Sequence, residues 1–146
     1  MVISQAILDK LTEEAKASPR LRMNMDLRNS AEDQSQRMLN AIEPGSPLPI
    51  HRHQKSSETV VCLRGRLVEE FYQLVQGSGF KVQGSDFVQK VQKVQEIELS
   101  PNGPNVALNI PVGQWHTVRA LESGTVILEC KDGAYEPLAD VDVLSL

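Results

Sequence analysis

From Leu21 onward, short segments of alternating apolar and polar residues are broken by Gly, Pro, Asn and Ser at intervals of roughly 8–12 residues. Such a cadence argues for an all-β sandwich or barrel. Strands are expected over 21–27, 36–42, 49–53, 59–63, 67–75, 80–83, 91–99, 106–110, 117–121 and 125–131, with turns at 77–79 and 84–86 among the breaks. One segment departs from this period. In residues 4–18, Ile7, Leu8, Leu11 and Ala15 fall on one helical face, Ser4 is placed to cap the N-terminus and Pro19 stops the run. The expected organisation is therefore a short helix over 1–19 followed by one β domain over 20–146. The tripeptide KVQ occurs three times, at 81–83, 90–92 and 93–95, too short a unit for a solenoid; it reads as an exposed hairpin whose lysines guard an edge.

Composition narrows the partners. The chain has 146 residues and a net charge of −4, without the clustered Lys/Arg that a nucleic-acid surface requires. The N-terminal residues lack a basic and then apolar leader, and no stretch has the roughly 18 apolar residues of a spanning helix, so no membrane partner and a cytoplasmic location are expected. Cys62 and Cys130 are the two cysteines and sit in apolar strand-like runs, as buried thiols rather than a disulfide framework.

All three histidines enter one pattern. His51 and His53 are two apart, so in a strand both imidazoles point to one face, and Glu58 opens the next strand-like run. A hairpin between the two strands would set a carboxylate beside the two rings. His116 follows the tight Pro111–Gly113 turn and can supply a fourth ligand. Neutral imidazole with carboxylate suits one divalent transition metal, Zn, Fe, Mn, Ni or Cu.

The block Gly45-SPLPI-His51-Arg-His53-QKSS-Glu58-TVVCLR-Gly65 fits the first cupin motif, G(X)5HXH(X)4E(X)6G, at every position. The second motif is met at its core by Pro111-Val-Gly113-Gln-Trp-His116; Gly103 lies two residues too far upstream, and Ala120 stands where the motif ends in Asn. The chain thus resembles the cupin superfamily. It further resembles the WbuC family of cupin-fold metalloproteins in the segments 20–24, 36–45, 51–53 and 131–137, although Arg28 replaces a histidine of that family and the C-terminal tail is short. The resemblance implies a jelly roll (a double-stranded β-helix barrel), a metal held inside it with a coordination position left for a ligand, and an association with surface-polysaccharide gene clusters.

Several further residues are candidates. Arg22, Asn24, Arg37 and Asn40 are polar on early strands, and with Lys131 and Tyr135 they could line a substrate pocket; the odd offset of Arg37 and Asn40 allows at most one of that pair to face inward. Val60, Cys62 and Arg64 share the parity of Glu58. Trp115 should face away from His116 and serve packing, whereas Glu69 and Glu70 read as solvated charge. The function expected is metal-assisted isomerisation, epimerisation or lyase chemistry on a small polar molecule such as a sugar derivative. The alternatives are Fe(II)-dependent oxygenation and a non-catalytic, metal-stabilised ligand-binding module. Exposed sheet edges and the helix make a homodimer the expected assembly.

Overall fold

The computed structural model describes residues 1–82 and 88–145. Its elements are α1 (Gln5–Ala17), β1 (Arg22–Asp26), β2 (Ser35–Ile42), β3 (Ile50–His51), β4 (Glu58–Arg64), β5 (Leu67–Val82), β6 (Val88–Leu99), β7 (Ala107–Ile110), β8 (Trp115–Ala120), β9 (Thr125–Asp132), a 3-10 turn (Asp140–Asp142) and β10 (Val143–Ser145). They form two antiparallel five-stranded sheets, ordered β1-β2-β9-β4-β7 and β10-β3-β8-β5-β6. This is the expected cupin jelly roll: two sheets closed over a common interior.

Strand alternation divides the apolar residues between two cores. Inward positions supply Ile42, Val60, Cys62, Leu67, Phe71, Leu99, Ile110, Ala120 and Ile127, which pack between the sheets. Outward positions of the first sheet supply Leu39, Ala41 and Val126, and these meet Leu8, Leu11 and Ala15 of α1. The helix therefore covers a sheet face, as its apolar stripe requires. Its start differs in one detail: Ser4 occupies the N-cap, but its hydroxyl makes no capping bond. The helix is held by packing against the sheet. No described helix is long and apolar enough to cross a membrane.

The expected turn at 77–79 is not a chain reversal. β5 runs unbroken from Leu67 to Val82, and its register against β6 slips between Val75 and Phe80, so the extra residues are absorbed as a bulge. The turn expected at 84–86, like Gln83 of the first KVQ, lies outside the described residues. The other two KVQ units lie on β6, an edge strand, where Lys93 bonds to Glu96 at 2.6 Å and to Glu70 at 3.1 Å.

Arg64, Glu69 and Glu70 depart from the expected orientation or exposure, whereas Trp115 faces away from His116 as expected. The parity of β4 holds from Glu58 through Cys62, but an irregularity between Cys62 and Arg64 turns Arg64 out of the barrel onto α1, where it pairs with Asp9 at 2.8 Å. Glu69 and Glu70 are buried, not solvated. Glu69 shares the inward parity of Leu67 and Phe71, and Glu70 lies on the outer face, bonded to Tyr72 Oη at 2.7 Å and to Lys93 and Arg119. Burial and then the bond to Glu70 push the Tyr72 hydroxyl up to about 12. Trp115 is buried on the outer face opposite His116, beneath the Arg52 guanidinium 4.6 Å from its ring centre.

Candidate metal centre

The Pro111–Gly113 turn brings β8 in beside β3, with Gly113 in the left-handed region at φ +79° and its N–H donating to His53 O at 2.8 Å. His51 and His116 are thereby direct cross-strand partners, and their ring centres are 4.3 Å apart. The expectation that His51, His53 and Glu58 sit on adjacent strands is corrected. β3 belongs to one sheet and β4 to the other, so residues 52–57 cross between sheets and Glu58 meets the histidines across the barrel interior. The strand expected over 49–53 is reduced to Ile50–His51, and His53 lies beyond the ladder.

The three imidazoles each place a ring nitrogen within 4.8 Å of the others. Glu58 Oε2 stands 3.4 Å from His53 Nε2 and 3.5 Å from His116 Nε2. His51 Nδ1 bonds to Pro49 O at 3.1 Å and His116 Nδ1 to Gln114 O at 2.9 Å, which fixes both rings with Nε2 free to bind an acceptor of its lone pair. Glu58 Oε2 and His53 Nε2 are buried and have no hydrogen-bond partner. Orphaned buried polar atoms are costly, and here they converge on one point with N/N/N/O chemistry. The donor set fits a divalent transition metal.

The local electrostatics favour that state of the ligands. Burial, with the neighbouring His116 and His53, lowers His51 to about 3, so its imidazole is neutral and available as a ligand. Burial opposes ionisation of Glu58, but the flanking His116 and His53 and the Lys131 ammonium outweigh it and hold this carboxyl well below the usual range.

Two carboxyls of the interior were missed by sequence reasoning. Glu129 is pushed up to about 8 by burial and by the charge of Glu58, against the pull of Lys131 and a hydrogen bond from Asn40. Its position was legible, since it shares parity with inward Ile127 and with Lys131 on β9. Glu69 is raised well above the carboxylate range by burial and by Glu58, Glu129 and Glu70, and its Oε2 has no partner. A folded-state pKa raised in this way means that folding takes up a proton, so stability falls as pH rises above the ordinary carboxylate value. Glu69→Gln is accordingly expected to stabilise the metal-free protein at pH 7 by about 1–3 kcal/mol, and by less at pH 4. Urea unfolding at both pH values measures this; a gain no larger at pH 7 than at pH 4 refutes the assignment.

Beside the centre lies a recess of about 220 Å³ lined by Asn24, Asp26, Arg28, Gln36, Arg37, Met38, Glu129, Lys131 and Tyr135. Asn24, Arg37, Lys131 and Tyr135 are thus brought together. Arg37 reaches the recess from the outward parity of β2 and is anchored to Asp33 at 3.0 Å, whereas Asn40 faces inward opposite Ile127. Arg22 is not brought in: its guanidinium donates to Pro47 O at 2.6 Å. Arg28, Asp26, Gln36 and Met38 join instead, because Asp26, Met38 and Gln36 share the inward face and Arg28 is tied to Asp26 at 2.8 Å, with its guanidinium 5.4 Å from the Tyr135 ring centre.

Comparison with known proteins agrees on the fold. KdgF from Halomonas sp. superposes with a TM-score of 0.52 at 13% identity, over 81% of this chain and 84% of that one. An oxalate oxidase solved with the substrate analogue glycolate gives 0.58 at 16% identity, over 86% and 58%. CapF bound to the inhibitor 3-isopropenyl-tropolone gives 0.56 at 18% identity, over 78% and 29%. The chain thus spans less than two thirds of the oxalate oxidase and of CapF, and identities this low speak for the fold alone. No curated protein sequence matches the chain. Residues 3–77, from the helix through His51, His53 and Glu58 into β5, match the family described as domain of unknown function DUF6016, and the chain belongs to that family, carried on a cupin jelly roll.

Proposed function

We propose that this protein holds one divalent transition metal on His51, His53, Glu58 and His116 and uses it on a small polar molecule, a carbohydrate or sugar derivative, bound in the adjacent recess. The observation that carries the reading is the pair of orphaned buried atoms, Glu58 Oε2 and His53 Nε2, facing the Nε2 of His116. A site that merely filled the core would pair them or replace them with apolar groups. When bound, a divalent ion supplies Lewis acidity toward a carbonyl or enediolate oxygen, the basis of isomerase, epimerase and lyase chemistry.

The protein's own residues do the rest. Pro49 O and Gln114 O orient His51 and His116. Asn24 and Gln36 offer amides to hydroxyl groups, the Tyr135 ring offers an apolar face, and Lys131 supplies positive charge at the boundary between recess and centre. Arg28 and Arg37 are engaged by Asp26 and Asp33, so the recess suits a polyhydroxylated ligand with one acidic or carbonyl end better than a polyanion. The resemblance to the WbuC family, with its link to surface polysaccharides, supports the same substrate class.

The test is metal analysis followed by calorimetric titration of the loaded protein with galacturonate. One metal per chain and saturable binding that Lys131→Met weakens roughly tenfold are expected. Protein that takes up no metal from Zn, Fe, Mn, Ni or Cu overturns the metal reading, and affinity unchanged in Lys131→Met overturns the placement of the ligand.

A further inference from the structure

β3 is two residues long, yet it carries one histidine of the centre and leads directly to another. A segment so short cannot fix its own geometry. On one side His51 pairs with His116; on the other, Ile50 and His51 pair with Leu144 and Val143 of β10. Past His51 the ladder gives way to contacts that converge on a single residue. Arg52 N–H donates to Asp142 O at 3.0 Å, Arg52 Nε to Asp142 Oδ1 at 2.8 Å, and Gln54 Nε2 to the same Oδ1 at 2.6 Å. One carboxylate thus binds the residues on both sides of His53. Asp142 is 8% exposed and is aimed by the 3-10 turn, whose Asp142 N–H donates to Ala139 O at 2.9 Å. Arg52 is confined in turn over the Trp115 ring, the neighbour of His116.

We propose that the C-terminal segment, residues 140–144, is a latch that presents His51 and His53 to the centre, with Asp142 as its positioning residue. The proposal rests on the metal reading above. Asp142 touches neither metal nor ligand; it removes the freedom of the 52–54 segment, so that His53 meets the other donors without an ordering step at binding. Charge-assisted bonds from Arg52 make the latch strong, and burial keeps water from replacing it.

The experiment titrates metal-free protein with Co(II), reading the visible ligand-field bands, and measures amide hydrogen exchange over residues 50–54 without metal. Asp142→Ala is expected to weaken Co(II) binding about 10- to 100-fold, to alter the band intensities and to speed exchange at residues 52–54. Asp142→Asn, which keeps one acceptor oxygen, is expected to recover part of each effect. Should Asp142→Ala fail to fold, Arg52→Met breaks the same clamp from the exposed side and serves in its place, with a smaller effect in the same direction. Co(II) affinity within twofold of the parent, while His51→Ala with His53→Ala binds none, overturns the latch and leaves the metal reading intact. If the parent itself binds no Co(II), the metal reading fails, and exchange decides the latch: unchanged protection at 52–54 in Asp142→Ala overturns it.

Discussion

Replacing His51 and His53 together with alanine is expected to abolish metal binding while leaving the jelly roll folded. The two imidazoles are half of the donor set, and what remains, Glu58 and His116, lacks the convergent nitrogens that define the site. Neither histidine belongs to the apolar cluster between the sheets, so the scaffold has little need of them. The thermal reading follows from linkage: a ligand held only by the native state stabilises by about 2.7 kcal/mol at a hundredfold excess over its dissociation constant. The parent protein should show that shift between chelated and loaded samples, and the double variant should show none. Full metal occupancy in the double variant would sink the assignment. Loss of the fold on chelation of the parent would instead favour the metal-stabilised module over an enzyme, because a site that only holds the structure leaves it unfolded when stripped.

The second large effect is expected at Gly65, the glycine that closes the first motif. It sits at φ +78°, where side chains are disfavoured, and an added Cβ would meet Thr125 Oγ1 and lie 2.7 Å from Thr125 Cα. The obstacle is backbone, and Thr125 is fully buried, its hydroxyl bonded to Arg66 and Glu122, so it cannot retreat. The left-handed conformation costs about 1–2 kcal/mol and the overlap about 1–3 kcal/mol, so Gly65→Ala should lower the melting temperature by on the order of 10 °C. Gly113→Ala separates the two contributions. Its φ is +79°, but nothing lies within 4 Å of the added Cβ, so only the conformational cost applies. Calorimetry of both variants checks this, and equal melting temperatures would remove the clash from the account.

Much of this molecule was legible in the residues. The all-β class followed from period-two alternation and its punctuation, and the helix from a 3.6-residue stripe. His51, His53, Glu58 and His116 were singled out by the HxH spacing and by the cupin motif they match, and the structure brings their side chains together. The parity of Arg37 and Asn40 likewise assigns them opposite faces of β2, as their partners Cys130 and Ile127 show. Glu69 and Glu70 read as surface charge for the converse reason: sequence supplies alternation but not what covers each position, and here Glu69 faces the interior while Tyr72, Lys93 and Arg119 close over Glu70.

Sequence by itself determined which residues were candidates for the centre and that the chain closes two β sheets on one interior, because strand period, turn chemistry and motif spacing are written in near neighbours. Tertiary structure alone decided that His51 and Glu58 face each other from different sheets. It also decided that Arg22 is spent on Pro47, that Glu129 and Glu69 share the interior with the centre, and that Asp142, some ninety residues from Arg52, holds the short strand that carries the first histidine. Those pairings join segments distant in sequence, and burial between two sheets, which sets their energies, exists only once the sheets have met.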